Sequence, residues 1–234
     1  MADAPWYLHV LALGIDREWR RRTPAERGAD WRSFAAAEAA APSVGVTSVL
    51  YSSIGLQPGV DLLLWRTAAS VDQLELGASA LLRSAMGGWL AVTHSFLGRS
   101  GPSQYVSRQT AQEQGMTGTP DRAGYLVVYP FTKSATWYLT PREERQAAMT
   151  EHMQVGRRYP SVRQALAYSF GLDDQDFVVS YETDDLGAFG DLVRDLRGTE
   201  SRRETVNDTP ILLGSLRSST EIALLLGAGD ETTP

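Results

Sequence analysis

The feature that most constrains this chain is the recurrence of its first half in its second. Tyr7-Leu8 opens an apolar, β-compatible run and recurs as Tyr125-Leu126. Thr23-Pro24-Ala25-Glu26 recurs as Thr140-Pro141-Arg142-Glu143, and Ser53-Ile54-Gly55-Leu56 as Ser169-Phe170-Gly171-Leu172. The offsets are 118, 117 and 116 residues. One matched tetrapeptide arises easily by chance. Three matches in order, at nearly constant offset and in matching contexts, argue for an internal duplication.

The first copy reads as a strand over 6–15, then a helix with Thr23 as N-cap, Pro24 at its first position and Glu26 three residues after the cap. That helix runs to about Ala41, before Pro42. Strands follow at 44–56 and 60–67 around Gln57-Pro58-Gly59, then a helix opening at Ser70 and stopping at Gly87-Gly88, then a strand over 91–98. Each half therefore reads strand, helix, strand, strand, helix, strand, the order of the split βαβ, ferredoxin-like unit. The expected fold class is α+β, with duplicated ferredoxin-like units forming a dimeric α+β barrel within one chain. A ligand would lie between sheet and helix. The expected organisation is an N-terminal half at 1–103, a polar linker at 104–123 and a C-terminal half at 124–234 that binds the ligand, with a short helix near 219–227.

Composition narrows the function. Hydrophobic residues make up 43% and charged residues 21%, ordinary for a globular chain. The net charge of −6 and pI near 5.1 disfavour nucleic acid or an anionic membrane surface, which need clustered positive charge. An anionic small molecule held by a local group of Lys and Arg stays open. With no Cys, disulfides, thiolate metal sites and cysteine nucleophiles are excluded, and a reducing compartment fits. The first ten residues lack the pattern of a signal peptide, and no run of about 18 apolar residues occurs. No membrane span and a cytoplasmic location are expected.

Duplication supplies an internal control: reactive residues present in one copy only are the better functional candidates. His152 falls opposite Ala35, on a helix face shared with Met149, Ala148 and Arg145. An imidazole there could be an axial ligand for haem iron, or simply a hydrogen-bonded or surface side chain. His9 and His94 are the only others, and their spacing gives no multi-histidine metal motif. Tyr129, opposite Leu11, ends a strand and could point its hydroxyl into a cavity, or pack its ring in the core. Lys133 and Trp137 follow at intervals of four; the lysine could hold a carboxylate or be solvated. Gln164, opposite Ser48, shares with Val162 and Leu166 the strand face expected to be buried. Arg197, at a helix end, could bind an anion or merely complement the helix dipole.

The motifs YPFTK (129–133), WYLTPREER (137–145), EHMQVGRRYP (151–160), VRQ (162–164), SFGLDDQDF (169–177) and ETDD (182–185) resemble the chlorite dismutase-like haem protein family. Within it, they are most similar to the coproheme decarboxylases of bacterial haem biosynthesis. The resemblance implies haem b or iron coproporphyrin III (coproheme) bound in the C-terminal half, a homo-oligomeric ring that is commonly a homopentamer, and hydrogen peroxide as co-substrate. It implies that His152 is the iron ligand and Tyr129 the residue that oxidises substrate. Lys133 and Trp137 would lie near the propionates, and Arg197 would bind one. Gln164 falls where chlorite dismutases carry a distal Arg. It is placed by matching VRQ, because the segment from Tyr159 to Val162 is shorter by a residue than in many relatives. Arg202, beside Ser201, stands where some decarboxylases have a propionate-binding Ser, and His94 is a distant alternative for a distal His. The resemblance leaves three readings: a peroxide-dependent coproheme decarboxylase, a chlorite dismutase, or a non-catalytic haem-binding protein.

Overall fold

The computed structural model describes residues 6–101, 103–105, 116 and 121–229. Most of the expected linker at 104–123 lies outside these described residues. The chain has a mixed α+β fold with antiparallel sheet and divides into two compact units. One holds the residues up to Arg99 together with those from Gly214 onward; the other is Ser100–Leu213.

In the first unit the order is β1 (Tyr7–Ile15), α1 (Pro24–Ala39), β2 (Val46–Gln57), β3 (Val60–Ala68), α2 (Val71–Leu82) and β4 (Leu90–Arg99). All strands pair antiparallel in the order β4-β1-β3-β2. Both helices start on reciprocal capping boxes, Thr23 with Glu26 and Ser70 with Gln73, which satisfy backbone donors that a helix start would leave unpaired. The second helix ends at Leu82, short of the expected Gly87-Gly88, where a separate turn of 3-10 helix spans Gly87–Trp89.

The second unit contains β5 (Tyr125–Lys133), α3 (Ala135–Leu139), α4 (Arg142–Gly156), β6 (Arg163–Tyr168), β7 (Phe177–Thr183), α5 (Leu186–Leu196), α6 (Glu200–Arg203) and β8 (Thr205–Asn207). Its strands pair antiparallel in the order β6-β7-β5-β8. Two details repeat those of the first unit. Gly55 and Gly171 of the two Ser-X-Gly-Leu motifs both take positive φ, 73° and 70°, a conformation glycine enters without penalty. Asp61 accepts from the Ile15 amide at 2.8 Å, and Asp176 accepts from the Lys133 amide, also at 2.8 Å.

The units differ in what lies under their helices. α1 buries Trp31 and Phe34 against Leu11, Leu13, Leu62 and Leu64. Under α2 the fully buried Arg66 donates to the Leu74 carbonyl at 2.9 Å. A Cβ on Gly77 of that helix would fall 2.3 Å from the Arg66 guanidinium, so the space is full. By contrast α4, the counterpart of α1, buries none of its residues fully.

Three expectations need correction. Thr140 does not cap α4. It closes α3 instead, its hydroxyl donating to the Thr136 carbonyl at 2.8 Å, while Pro141 takes the cap position with no side-chain bond. Residues from Gly214 on belong to the compact unit of the first half, because the C-terminal helix α7 (Ser219–Leu225) puts Ile222 and Ala223 into its core, joined by Leu226 just beyond the helix end. β9 (Leu212–Leu216) crosses that boundary, and its Ser215 and Leu216 pair with Ser52 and Tyr51. Finally, Ala165 and Ala167 are the fully buried residues of β6, while Leu166 is 38% exposed. On the Gln164 face Val162 is packed core, 1% exposed, while Gln164 and Leu166 border a cavity.

Candidate functional site

That cavity lies within the second unit and has a volume of about 660 Å³, in the range of small-molecule sites. Its floor follows the two-residue period of the sheet. Tyr129, Phe131 and Lys133 line it from β5, Gln164, Leu166 and Tyr168 from β6, and Phe177, Val179 and Tyr181 from β7. Opposite are Arg145, Met149, His152 and Met153 of α4 and Phe189, Gly190, Val193 and Leu196 of α5. The spacing 145, 149, 152 is one helical stripe over two turns. All six residues singled out in the sequence, Tyr129, Lys133, Trp137, His152, Gln164 and Arg197, line this one space. His94 belongs to β4 of the first unit, where it stacks on Phe96 at 6.1 Å.

Each side chain has a physical setting. The His152 imidazole is pushed down to about 4, first by burial and then by the charge of Lys133, with Glu151 opposing. It is therefore neutral near pH 7, the form that can donate a lone pair to a metal. Its buried Nδ1 has no hydrogen-bond partner among the described residues. No cluster of three or more metal-ligating side chains occurs among the described residues.

Lys133 is the single lysine of the chain. Its ammonium donates to the Ser201 carbonyl at 2.6 Å, the Ser201 hydroxyl at 3.2 Å and the Thr205 hydroxyl at 3.1 Å. It is pushed down to about 8 by burial and then by Arg202, with Glu204 opposing. Trp137, also buried, offers its ring face to that ammonium. Tyr129 stacks on Tyr181 with ring centroids 5.9 Å apart, the two lying diagonally across β5 and β7, and their hydroxyls are hydrogen-bonded. Burial raises the Tyr129 phenol, so it stays protonated near neutrality. Gln164 sits directly across from Tyr181. Its neighbour Arg163 points the other way, to the fully buried Glu182 at 3.2 Å, a carboxylate that Arg122 also meets at 3.0 Å.

Charge is concentrated in the lining. Lys133, Arg145, Arg197 and Arg202 are cationic, and among the described residues Asp208 is the one lining carboxylate. Asp208 meets Arg197 at 3.4 Å and Arg202 at 3.2 Å. Arg145, Arg202, Asp208 and Tyr181 had no assigned role in the sequence reading. Arg145 was findable as the residue two turns before His152 on the same stripe. Aromatic walls, a neutral imidazole and a cationic lining in a chain of net charge −6 fit a flat, apolar, carboxylate-bearing ligand with its own metal. The residues present thus fit an iron porphyrin, with His152 the side chain able to hold its iron. Among the described residues, no helix is long and apolar enough to cross a membrane.

Comparison with known proteins gives one consistent result. The family model described as chlorite dismutase matches residues 27–217. A coproheme decarboxylase of Mycolicibacterium smegmatis is 32% identical over 171 residues, which cover 70% of this chain and 71% of that protein. A chlorite dismutase of Ideonella dechloratans is 28% identical over 146 residues, 59% of this chain and 51% of that one. Among solved structures, a double mutant of the chlorite dismutase from Candidatus Nitrospira defluvii superposes with a TM-score of 0.84 at 27% identity, covering 95% of both chains.

Proposed function

Because this chain belongs to the chlorite dismutase family, we propose that it is a peroxide-dependent coproheme decarboxylase, converting propionates of iron coproporphyrin III to vinyl groups to give haem b. One observation carries this reading. Tyr129, Lys133 and His152 face one cavity, while Arg163 is turned away into an ion pair with Glu182 and leaves Gln164 at the cavity wall. The duplicated ferredoxin-like reading belongs to the same proposal; it draws on the matching strand orders and the paired Asp61 and Asp176 links.

When bound, the iron porphyrin supplies, with hydrogen peroxide, a two-electron oxidant. The protein's part is to hold and to relay. His152 holds the iron through its neutral imidazole. Lys133, with Trp137 packed against it, holds and polarises the carboxylate of the reacting propionate. Arg197 holds a second propionate, at the Tyr129 end of the cavity, which reacts in its turn. Tyr129 gives up its phenolic hydrogen and then takes one from the propionate side chain. Loss of carbon dioxide and of a second electron leaves the vinyl group. Each propionate anion and proton, with one peroxide, yields one vinyl, one carbon dioxide and two waters. Tyr181, hydrogen-bonded to the Tyr129 hydroxyl, fixes the ring that performs the relay. Gln164 is neutral, so it offers peroxide hydrogen bonds without the fixed charge that an oxychlorine anion would need.

Mass spectrometry of the bound porphyrin before and after peroxide tests the proposal: iron coproporphyrin should be replaced by haem b. Rapid, sustained oxygen release from chlorite without decarboxylation would favour the chlorite dismutase reading. Tight haem uptake with neither reaction would leave a binding protein. The proposed homo-oligomer, a pentamer, is checked by light scattering, and the cytoplasmic location by fractionation.

A further inference from the structure

The cavity that would hold a polycarboxylate contains a carboxylate of the protein's own. Asp208 lies in the turn between β8 and β9 and lines the cavity. A single oxygen, Oδ2, meets both guanidinium groups, Arg197 at 3.4 Å and Arg202 at 3.2 Å. The Arg197 side chain remains 48% exposed and Arg202 28%, so both keep donor edges toward the open space. The same three charges act on the Tyr129 hydroxyl. The cluster therefore belongs to the Tyr129 end of the cavity. An arginine pair already holding a carboxylate presents less net positive charge to a second one, so the two anions compete for the pair.

From this arrangement, and resting on the porphyrin reading above, we infer that Asp208 is a built-in competitor for the ligand carboxylate at the Tyr129 end, setting how strongly the cavity prefers a carboxylated porphyrin over its decarboxylated product. With a propionate in place, Asp208 yields its share of Arg197 and Arg202. Once that propionate has become a vinyl group, Asp208 takes the arginines back. Without it, decarboxylation would leave two cationic side chains unpaired against an apolar group, which is unfavourable. The device thus weakens binding of the tetracarboxylate and relieves the product complex.

The test is equilibrium titration, by porphyrin absorbance and tryptophan quenching, of intact protein and of Asp208→Asn. Iron coproporphyrin III and haem b are the two probes. D208N is expected to bind coproporphyrin about tenfold tighter, the size of a charge-assisted contact regained, with haem b binding unchanged or weaker. Asp208→Ser serves as a second variant, with thermal melting as the check of folding. A cycle adds Arg197→Gln: its effect on coproporphyrin affinity should be larger in the D208N background than in the wild type, where Asp208 already occupies the arginine. Coproporphyrin binding that is unchanged or weaker in both Asp208 variants, or equal tightening of both porphyrins, overturns the inference and leaves the porphyrin reading intact. A wild-type protein that takes up neither porphyrin removes that reading, and the inference with it.

Discussion

The Lys133 ammonium stands 4.7 Å from the centroid of the Trp137 ring, and no other lysine exists in the chain to share its chemistry. Its three hydrogen-bond partners on Ser201 and Thr205 are neutral, so burial dominates and pushes it down from 10.5 to about 8. Reductive methylation with labelled formaldehyde should give one lysine resonance, titrating near 8 in the ligand-free protein. Adding iron-free coproporphyrin should raise that value, because a carboxylate favours the charged form. The sign for stability follows. Between about 8 and 10.5 the unfolded chain holds the proton that the folded chain has lost, so stability rises with pH across that window. A resonance titrating at 10.5 with and without porphyrin would refute this placement.

His152→Ala separates the iron from the macrocycle. The variant should lose the absorbance signature of imidazole-ligated iron. It should still bind metal-free coproporphyrin near wild-type affinity, since Lys133, Arg197 and Arg202 remain in the lining. Retention of the wild-type iron spectrum in H152A would remove His152 as the ligand.

The mixed α+β scaffold was legible in the sequence because the repeated motifs carry backbone requirements that need particular residues. Gly55 and Gly171 mark the same positive-φ turn, and Asp61 and Asp176 tie down the same strand end. His152, Tyr129, Lys133 and Gln164 were legible as departures from that repeat. Asp208 was not, because a turn carboxylate reads as solvated until the fold brings Arg197 and Arg202 to it. The setting of Gln164 and Leu166, on a face whose Val162 is packed core as expected, was misjudged for a related reason. Alternation along β6 separates two faces, but it does not say which one meets packed core and which borders an open cavity. Thr140 was misjudged because a motif that caps a helix in one copy serves here to end a shorter one.

Tyr129→Phe tests the relay without dismantling the site. The ring can keep its stack on Tyr181, so folding should suffer only the lost hydroxyl contact, about 1 kcal/mol. Coproporphyrin binding should persist while peroxide-driven conversion falls to the background of free iron porphyrin. Full conversion to haem b by Y129F would refute the role of this hydroxyl.

Glu182 is fully buried on β7 and is shared by Arg122 at 3.0 Å and Arg163 at 3.2 Å. Replacing it by Gln leaves guanidinium charge without its counter-ion, a loss of about 3–5 kcal/mol for a buried pair broken on one side. That is a large part of a typical domain's stability, so E182Q should lower the denaturant midpoint of the second unit sharply. Arg163→Gln should be milder. The Arg163 side chain is 24% exposed, and Glu182 keeps Arg122, whose side chain is 9% exposed. Strand alternation puts Arg163 on the face of β6 away from the cavity, and this ion pair receives it there. Denaturant melts of both variants, followed by tryptophan fluorescence, should rank E182Q well below R163Q; the reverse order would mean that the buried carboxylate is not the centre of this network.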